Sequence, residues 1–345
     1  YSSTEKLTNK GITQRFMGKM MQQVFIQTGA TYEETLAAPL REELKLISKT
    51  QALRNIHFPK NSELLAKAQF RLKFEELFYI QLQMLSKNLQ RKQRLKGFPF
   101  DQVGEVFNDF YENHLPFELT NAQKRVIKEI RNDLGSSAQM NRLLQGDVGS
   151  GKTIVALMCV LLAIDNNFQA VLMAPTEILA QQHYQGIKDL VAHLDIKVNL
   201  LTGSVKKSDR TLIHEALEDG TLNLLIGTHA VLEDKVQFKN LGLAIIDEQH
   251  RFGVAQRSKL WRKNTIPPHI LVMTATPIPR TLAMSVYGDL DISVIDELPP
   301  GRKAIKTVHR FDSHRLRVFR FIRDEIEKGR QVYVVYPLIQ ESEVL

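Results

Sequence analysis

The stretch LLQGDVGSGKTIVALM, from Leu143 to Met158, places three glycines and a lysine between a short apolar run and an apolar helix-forming run. Within it, Gly146 to Thr153 match the pattern G-x-x-x-x-G-K-[ST], with the strand before it and the helix after it that this pattern needs. Glycines let successive backbone N–H groups converge on a phosphate, toward which the following helix also points its positive dipole end. The stretch therefore predicts a loop that binds a nucleoside triphosphate.

The residues of this loop have separate predicted roles. Lys152 can reach the β and γ phosphates, and the Thr153 hydroxyl is placed to ligate Mg²⁺. Gly149 and Ser150 let the loop bend tightly around the anion. A glycine-rich turn that binds no nucleotide is the alternative, and the full match in its proper setting disfavours it. The predicted nucleotide-binding residues of the loop are Gly146, Asp147, Val148, Gly149, Ser150, Gly151, Lys152 and Thr153.

Composition sets wider limits on the protein. With 345 residues, 43% of them hydrophobic and 24% charged, the chain is typical of a globular protein of two or three domains. Its net charge of +8 favours a polyanionic partner, but charge alone does not separate nucleic acid from an acidic protein or a membrane surface. The single cysteine, Cys159, excludes an intrachain disulfide, and its apolar helix predicts an inert core thiol. No apolar run approaches the roughly 18 residues of a membrane span, so we expect no membrane partner. The chain begins at Tyr1 without an initiator methionine, which indicates a piece of a longer protein.

Residues 1–100 show helical periodicity. Phe16, Met20 and Val24 recur at every fourth position, and a longer apolar stripe that we interpret as a packing surface follows downstream. The stripe consists of Phe70, Phe74, Phe78, Leu82, Leu85 and Leu89. A basic cluster ends this helix; it could contact phosphates, but such a cluster is more often a solvated face. Its members are Lys87, Arg91, Lys92, Arg94 and Lys96.

In residues 101–298 the sequence pattern changes to short apolar runs that alternate with helical segments. The runs, such as AVLMAP, NLLIGT, LAIIDE and ILVMTAT, are continuously apolar, as a parallel sheet buried on both faces requires. We therefore expect a doubly wound α/β domain here. After the linker-like ELPPGRK, residues 299–345 show a strand, a helix and a second strand, which predict the start of a further α/β domain.

Two adjacent acids follow the run LAII. Asp247 and Glu248 are delivered to the carboxyl end of the sheet, where open α/β sheets bind ligands. In-line phosphoryl transfer needs neutralised oxygens and a positioned nucleophile. We therefore expect Asp247 to bind Mg²⁺, directly or through water, and Glu248 to orient and deprotonate the attacking water. The predicted catalytic residues are thus Glu248, Asp247 and Lys152, and the predicted metal ligands are Thr153 and Asp247.

A third strand end carries the sequence TAT. Thr274 and Thr276 can hydrogen-bond the acidic pair, although a cap before Pro277 explains them nearly as well. Taken in chain order, three elements resemble motifs I, II and III of superfamily 2 helicases and translocases: the loop of residues 146–153, then DEQH, then TAT. Upstream, PFELTNAQ resembles the adenine-reading element of that superfamily, which implies Gln123 as base contact and Phe117 as stacking partner.

Further stretches resemble the strand-contacting motifs of the same superfamily. APTEILAQQH resembles motif Ia, LLTGS the glycine element after it, and GTHAVL motif Ib. This resemblance implies DNA-binding residues that contact phosphates without reading base sequence, namely Thr176, Gly203, Thr228 and His229. For each residue taken separately, a helix cap or a loop is the alternative. Binding should be largely independent of sequence and sensitive to salt.

The resemblance narrows to one family. DEQHRFGVAQR and TATPIPRTLA are similar to the RecG branch-migration helicases and, less closely, to transcription-repair coupling factor and the primosomal helicase. Four further stretches also resemble RecG: ALRNIHFP in the helical residues 1–100, then LPFELTNAQ, ELPPGRK and QVYVVYPLIQESE. The resemblance implies a RecA-like P-loop domain, preceded by an α-helical region and followed by the start of a second RecA-like domain. It also implies an ATP-driven double-stranded DNA translocase that remodels stalled forks and Holliday junctions.

The resemblance carries further expectations about cofactors and partners. It implies ATP and Mg²⁺ as cofactors, branched double-stranded DNA and single-stranded DNA-binding protein as partners, a monomer, and a cytoplasmic, nucleoid-associated location in bacteria. Arg257 and Arg280 could couple DNA to the acids, or could equally form ion pairs at a domain boundary. The residues expected to couple nucleotide to DNA are Gln249, His250, Arg251, Arg257, Thr274, Thr276 and Arg280.

The chain also departs from the family pattern. The junction-binding wedge and the arginine-bearing motifs of the second motor domain are absent, which predicts poor hydrolysis by this piece, since an arginine finger contributes roughly 10³ to 10⁵ in rate. The rival hypotheses are another superfamily 2 motor, such as the coupling factor or an RNA helicase, and an ATP-binding scaffold that does not hydrolyse its ligand.

Overall fold

The computed structural model describes residues 4–29, 31–248, 260, 263–276, 290–297 and 305–335. The chain divides into two compact units, Tyr1–Pro299 and Pro300–Leu345. In the described residues, no helix combines the length and hydropathy needed to span a bilayer.

The N-terminal part of the first unit is helical, as its periodicity predicts. Polar caps begin its longer helices: Thr13 accepts a hydrogen bond from the Phe16 N–H, and Asn61 accepts one from the Leu64 N–H. Ser48 forms a capping box with Gln51. The helices are α1 (Glu5–Thr8), α2 (Gln14–Gln27), α3 (Ala38–Glu43), α4 (Lys49–His57) and α5 (Ser62–Arg94).

A buried arginine joins these helices. Arg71 of α5 is fully buried, and its guanidinium binds Glu75 and Glu34, each at 2.6 Å. Burial opposes ionisation of Glu34, but the N–H groups of Lys49 and Leu36 and the Arg71 guanidinium outweigh it and hold its pKa at about 2. A buried charge persists only where it is paired in this way. The network thus fixes the segment before α3 against α5.

The apolar stripe of α5 is only partly buried in the described residues, although its pattern predicts a packing surface. Phe70, Leu82, Leu85 and Leu89 are exposed in the described part of the chain, whereas Ala68 and Arg71 are the residues that α5 buries. Phe74 and Phe78 are half-buried and stack on each other, with ring centroids 5.8 Å apart. Apolar spacing alone is therefore insufficient to bury the whole stripe.

The basic end of α5 contacts the α/β part of the unit, although a solvated face is the commoner arrangement for such a cluster. Lys92 Nζ lies 2.8 Å from the Asp291 carboxylate. Arg91 donates to the Gln139 carbonyl oxygen at 3.2 Å, and Asn88 donates to Asp291 at 3.3 Å. These contacts anchor the long helix to one edge of the sheet.

The α/β part contains the expected parallel sheet. In the described residues it has seven strands in the order β3-β4-β2-β5-β6-β1-β7, all of them paired in parallel. Parallel strands buried on both faces explain the continuously apolar runs. The strands are β1 (Asn141–Gly146), β2 (Gln169–Met173), β3 (Val198–Leu201), β4 (Leu224–Gly227), β5 (Leu241–Asp247), β6 (His269–Thr274) and β7 (Asp291–Ile295).

Helices cover both faces of the sheet. Leu144 of β1 belongs to one apolar core and its neighbour Leu143 to the other, as the alternation of side chains along a strand requires. Helix α8 is buried at every position from Ile154 to Ala163, which explains its uniformly apolar sequence. Among the described residues, the other helices named in this unit are α6 (Glu105–Asp109), followed by a π-helical turn (Phe110–His114), α7 (Asn121–Leu134), α8 (Lys152–Asp165), α9 (Glu177–Leu190), α10 (Lys207–Glu218) and a 3₁₀ turn (His229–Leu232).

The second unit contains α11 (Arg315–Glu327), which its sequence predicts, after a 3₁₀ turn at Asp312–His314. The strands predicted on either side are not formed in residues 305–311 and 331–335, and there that prediction is wrong. A strand needs a neighbour to complete its backbone hydrogen bonds, and these described segments pair with none.

Candidate functional site

The site lies where three neighbouring strands end. β5, β6 and β1 are adjacent and parallel, so their carboxyl ends share one edge of the sheet. This edge carries the loop of residues 146–151 (the glycine loop), the acids Asp247 and Glu248, and the segment 274–276. The sequence places all three at strand ends, and the topology brings them together.

The glycine loop needs its glycines for steric reasons. Gly149 and Gly151 have φ values of 75° and 88°, in the left-handed region that disfavours side chains. A Cβ on Gly151 would collide with the Gln123 amide nitrogen, and one on Gly146 would collide with the Ser150 hydroxyl. Helix α8 begins immediately afterwards at Lys152, so its first N–H groups open toward the loop.

Two polar side chains at the glycine loop, those of Lys152 and Ser150, differ in their hydrogen bonds. Lys152 Nζ donates to the carbonyl oxygens of Gly146 and Asp147, at 2.7 and 2.9 Å. The Ser150 hydroxyl is buried and has no hydrogen-bond partner among the described residues. A buried hydroxyl without a partner is costly, which makes this loop suited to a further polar ligand.

The two acids differ in backbone geometry. Asp247 is the last residue of β5 and is nearly buried, whereas Glu248 lies just beyond the strand with a φ of 53°. The left-handed conformation costs a non-glycine residue on the order of 1–3 kcal/mol. It is held by a hydrogen bond from the Glu248 N–H to the Met273 carbonyl oxygen at 3.0 Å. Such local strain often marks a functional position.

One cleft of about 330 Å³ contains both the loop and the acids. Its lining includes Lys152 and Thr153 together with Asp247 and Glu248. Helix α9 supplies Gln182 and His183 to its wall, although sequence reasoning nominates neither. His183 Nε2 lies 2.8 Å from Asp247 Oδ2. The signal that could have identified His183 is its helical spacing from Ala180 and Ile187, both of them buried.

Thr274 and Thr276 contact each other. Their hydroxyls are 2.8 Å apart, and the Thr276 N–H donates to the Thr274 hydroxyl at 3.2 Å. These contacts are local to residues 274–276, whereas Pro277, on which the alternative of a cap depends, lies outside the described residues. Their expected contact with the acids stays a prediction.

The predicted adenine-reading residues are in different environments. Phe117 is exposed, but Gln123 is buried and engaged at both ends of its amide. Gln123 accepts a hydrogen bond from the Thr120 N–H at 2.9 Å and donates one to the Ser150 carbonyl oxygen at 2.8 Å. The Thr120 hydroxyl completes a capping box at the start of α7. Gln123 thus contacts the glycine loop, and its contact with a base stays a prediction.

The four predicted DNA-binding residues lie just after their strands. Thr176 caps α9 by accepting from the Leu179 N–H at 3.3 Å, and a Cβ on Gly203 would lie 3.0 Å from Glu177 Oε1. The segments that contain these two residues are therefore neighbours. His229 is exposed, but the Thr228 hydroxyl is buried and has no partner in the described residues. The Thr228 backbone is also engaged, because its N–H donates to the Leu201 carbonyl oxygen at 3.3 Å and its carbonyl oxygen accepts from the Val231 N–H at 3.2 Å. Contact of Thr228 with DNA stays a prediction.

The other predicted site residues, Gln249, His250, Arg251, Arg257 and Arg280, lie outside the described residues. Outside the cleft, Cys159 is fully buried, and burial raises the pKa of its thiol to about 12, which confirms the inert core thiol.

Comparison with known proteins gives a consistent result. Residues 120–285 match the family model of the DEAD/DEAH box helicases. The chain is 48% identical to the ATP-dependent DNA helicase RecG of Synechocystis over 337 residues, which are 97% of this chain and 40% of that protein. It is 44% identical to the RecG of Bacillus subtilis, with 97% of this chain and 49% of that protein covered.

A solved structure resembles the chain over nearly the same extent. It is the structure of RecG bound to a three-way DNA junction, with a TM-score of 0.73 and 41% sequence identity, covering 96% of this chain and 44% of that one. The chain therefore spans less than half the length of these relatives.

Proposed function

The chain belongs to the RecG family, and on that premise we propose that it is the nucleotide-binding part of an ATP-dependent double-stranded DNA translocase. The whole protein would remodel branched DNA, such as stalled forks and Holliday junctions, in recombination and repair. The observation that carries the proposal is the single cleft shared by Lys152, Thr153, Asp247 and Glu248.

The residues of the cleft fit a magnesium nucleotide. The left-handed glycines leave room for an anion against the loop backbone, and the buried Ser150 hydroxyl needs a polar partner. The Thr153 hydroxyl and the Asp247 carboxylate are hard oxygen donors of the kind that Mg²⁺ prefers. Protein sites typically give Mg²⁺ only one or two carboxylates and leave its other positions to phosphate and water.

Each residue has one role in the proposed reaction. The glycine loop amides and Lys152 bind the phosphates, and Thr153 and Asp247 hold the metal. Glu248 orients the attacking water and accepts its proton, a role supported by its place in the lining of the same cleft as Lys152. Mg²⁺, when bound, neutralises charge on the phosphate oxygens.

The proposed DNA contacts lie on the segments that follow neighbouring strands. The residues that would bind phosphates of branched double-stranded DNA are Thr176, Gly203, Thr228 and His229. The relative solved on a three-way junction supports this class of partner. We further propose a monomer, an interaction with single-stranded DNA-binding protein, and a cytoplasmic, nucleoid-associated location.

Coupling between DNA and nucleotide is assigned to the segments next to the acids. We propose this role for Gln249, His250, Arg251, Arg257, Thr274, Thr276 and Arg280. The domain boundaries of the proposal are an α-helical region at 1–100, a RecA-like domain at 101–298 and the start of a second RecA-like domain at 299–345.

The test compares nucleic acids as activators of ATP hydrolysis in the intact protein that contains this chain. We expect three-way and four-way DNA junctions to stimulate hydrolysis more than linear duplex or RNA does. Equal or greater stimulation by RNA would favour an RNA helicase. An absence of hydrolysis with every nucleic acid would favour a nucleotide-binding scaffold.

A further inference from the structure

Helix α9 presents His183 toward the cleft from the face that it packs onto the sheet. Ala180 lies three residues before His183 and Ile187 four residues after it, and both are fully buried. This spacing places the three side chains on one face of an α-helix. His183 therefore stands where the apolar core ends and the cleft begins.

The imidazole makes a direct hydrogen bond to the acid at the end of β5. His183 Nε2 is 2.8 Å from Asp247 Oδ2, and only 13% and 12% of the two side chains are exposed. An ionised carboxylate can only accept, so Nε2 carries the hydrogen and donates it. Because shielding from water strengthens a hydrogen bond, this contact restricts rotation of the Asp247 carboxylate.

The orientation of the Asp247 carboxylate determines how its oxygens are presented to the cleft. Asp247 faces the same space that Lys152 and Thr153 border from α8. The His183 hydrogen bond engages one carboxylate oxygen, Oδ2, and so fixes the plane in which the other lies. Carboxylates that bind metals are commonly held by an outer hydrogen bond, and its loss typically costs roughly 10- to 100-fold in metal affinity.

We propose that His183 is the positioning residue for Asp247, holding its carboxylate in the orientation that receives the Mg²⁺ of the bound nucleotide. The inference rests on the proposed function, because that function gives Asp247 a metal to bind. His183 acts only through Asp247, and its ring proton stays in place.

The experiment measures how Mg²⁺ controls nucleotide binding by the intact protein. Binding of a fluorescent ADP analogue is titrated against Mg²⁺ concentration, and again in EDTA, for the parent protein and three variants. His183→Ala removes the donor, and His183→Gln offers an amide N–H in place of Nε2. Gln185→Ala is the matched control, because Gln185 is an exposed residue of the same helix whose amide binds Asp189.

We expect His183→Ala to need roughly tenfold more Mg²⁺ for half-saturation than the parent protein. Its affinity for the analogue in EDTA should equal that of the parent, because the lost contact acts through the metal ligand. His183→Gln should return to within about threefold of the parent, a difference below 1 kcal/mol. Gln185→Ala should match the parent under both conditions.

A merely structural role for His183 predicts a different result. Binding would then weaken equally with Mg²⁺ and in EDTA, and that outcome, or an unchanged Mg²⁺ dependence, overturns the inference while the proposed function stands. If His183→Ala does not fold, His183→Asn, whose shorter amide does not reach Asp247, is judged by the same two outcomes. Failure of the parent to bind the analogue at any Mg²⁺ concentration overturns the proposed function itself.

Discussion

The Gln123 side chain donates a hydrogen bond to the Ser150 carbonyl oxygen, 2.8 Å away, and so joins the first turn of α7 to the glycine loop. The other end of the same amide accepts from the Thr120 N–H at 2.9 Å. Gln123 is buried, so water competes for neither contact. The conformation of the glycine loop therefore depends on α7, the helix that comes before β1 in the chain.

Gln123→Glu should loosen this connection. The carboxylate keeps the contact with the Thr120 N–H but faces the Ser150 carbonyl oxygen without a hydrogen to donate. Leaving these buried groups unpaired should cost about 1–3 kcal/mol of unfolding free energy. Urea denaturation of the chain measures this, with Gln181→Glu at an exposed position of α9 as the control, expected to change stability by less than about 0.5 kcal/mol. Equal midpoints for both variants would show that the contact contributes nothing.

Gly151→Ala should impair the loop more directly. The methyl group would collide with the Gln123 amide, and the φ of 88° disfavours any side chain. We expect a loss of about 1–2 kcal/mol in stability and weaker binding of ATP analogues, measured by urea denaturation and by titration. Gly18→Ala in α2, where nothing lies within 4 Å of the added carbon, is the control and should be neutral or stabilising. The prediction is wrong if both alanines behave alike.

The sequence predicts the sheet and the loop because both depend on local patterns. Continuously apolar runs are enough to indicate buried parallel strands, and the loop pattern is specific in residue type and spacing. Residues whose role depends on a distant partner are not visible in this way. Arg71 is buried and paired with Glu34, which lies 37 positions earlier in the sequence. His183 contacts Asp247, which lies 64 positions later.

The prediction of strands in the second unit is wrong for a related reason. Residues 331–335, QVYVV, have the β-branched and aromatic composition of a strand. Composition supplies only a preference, whereas a strand exists through hydrogen bonds to its neighbours. The described neighbours provide none, and Tyr333 and Val335 are exposed.

His269 should make stability depend on pH. It is fully buried, with Nδ1 accepting from the Met140 N–H at 2.9 Å and Nε2 donating to the Phe98 carbonyl oxygen at 2.6 Å. Burial lowers the pKa of His269 below its ordinary value of 6.5, so the folded chain holds the ring neutral. The unfolded chain binds the proton first as pH falls, and stability should therefore decrease from about pH 6.5 downward.

His269→Gln tests this dependence because glutamine does not titrate. The variant should be less stable than the parent at about pH 8, since the Met140 N–H loses its acceptor. The difference between variant and parent should narrow as pH falls toward about 5, because only the parent loses the contribution of a neutral histidine. Urea denaturation across this range measures it, and parallel curves would exclude His269 as the cause.

Asp165 should stabilise the segment that leads into the α/β part. Its carboxylate accepts hydrogen bonds from the N–H groups of Gly104, Val106 and Phe107, at 2.9 to 3.1 Å, and so caps α6 from the end of α8. Asp165→Ala should cost about 0.5–2 kcal/mol, the usual range for a lost helix cap. Urea denaturation measures the loss against Asp101→Ala, an exposed acid nearby. An equal effect of both changes would contradict the capping role.

The most direct test of the account is the rate of ATP hydrolysis by Glu248→Gln in the intact protein, measured with junction DNA and accompanied by ATP affinity. If Glu248 activates water in this cleft, kcat should fall by roughly 10²- to 10⁴-fold, the usual contribution of a general base. The affinity for ATP should stay near that of the parent, and the exposed Glu215→Gln of α10 should retain full activity. Unchanged turnover in Glu248→Gln would contradict the account.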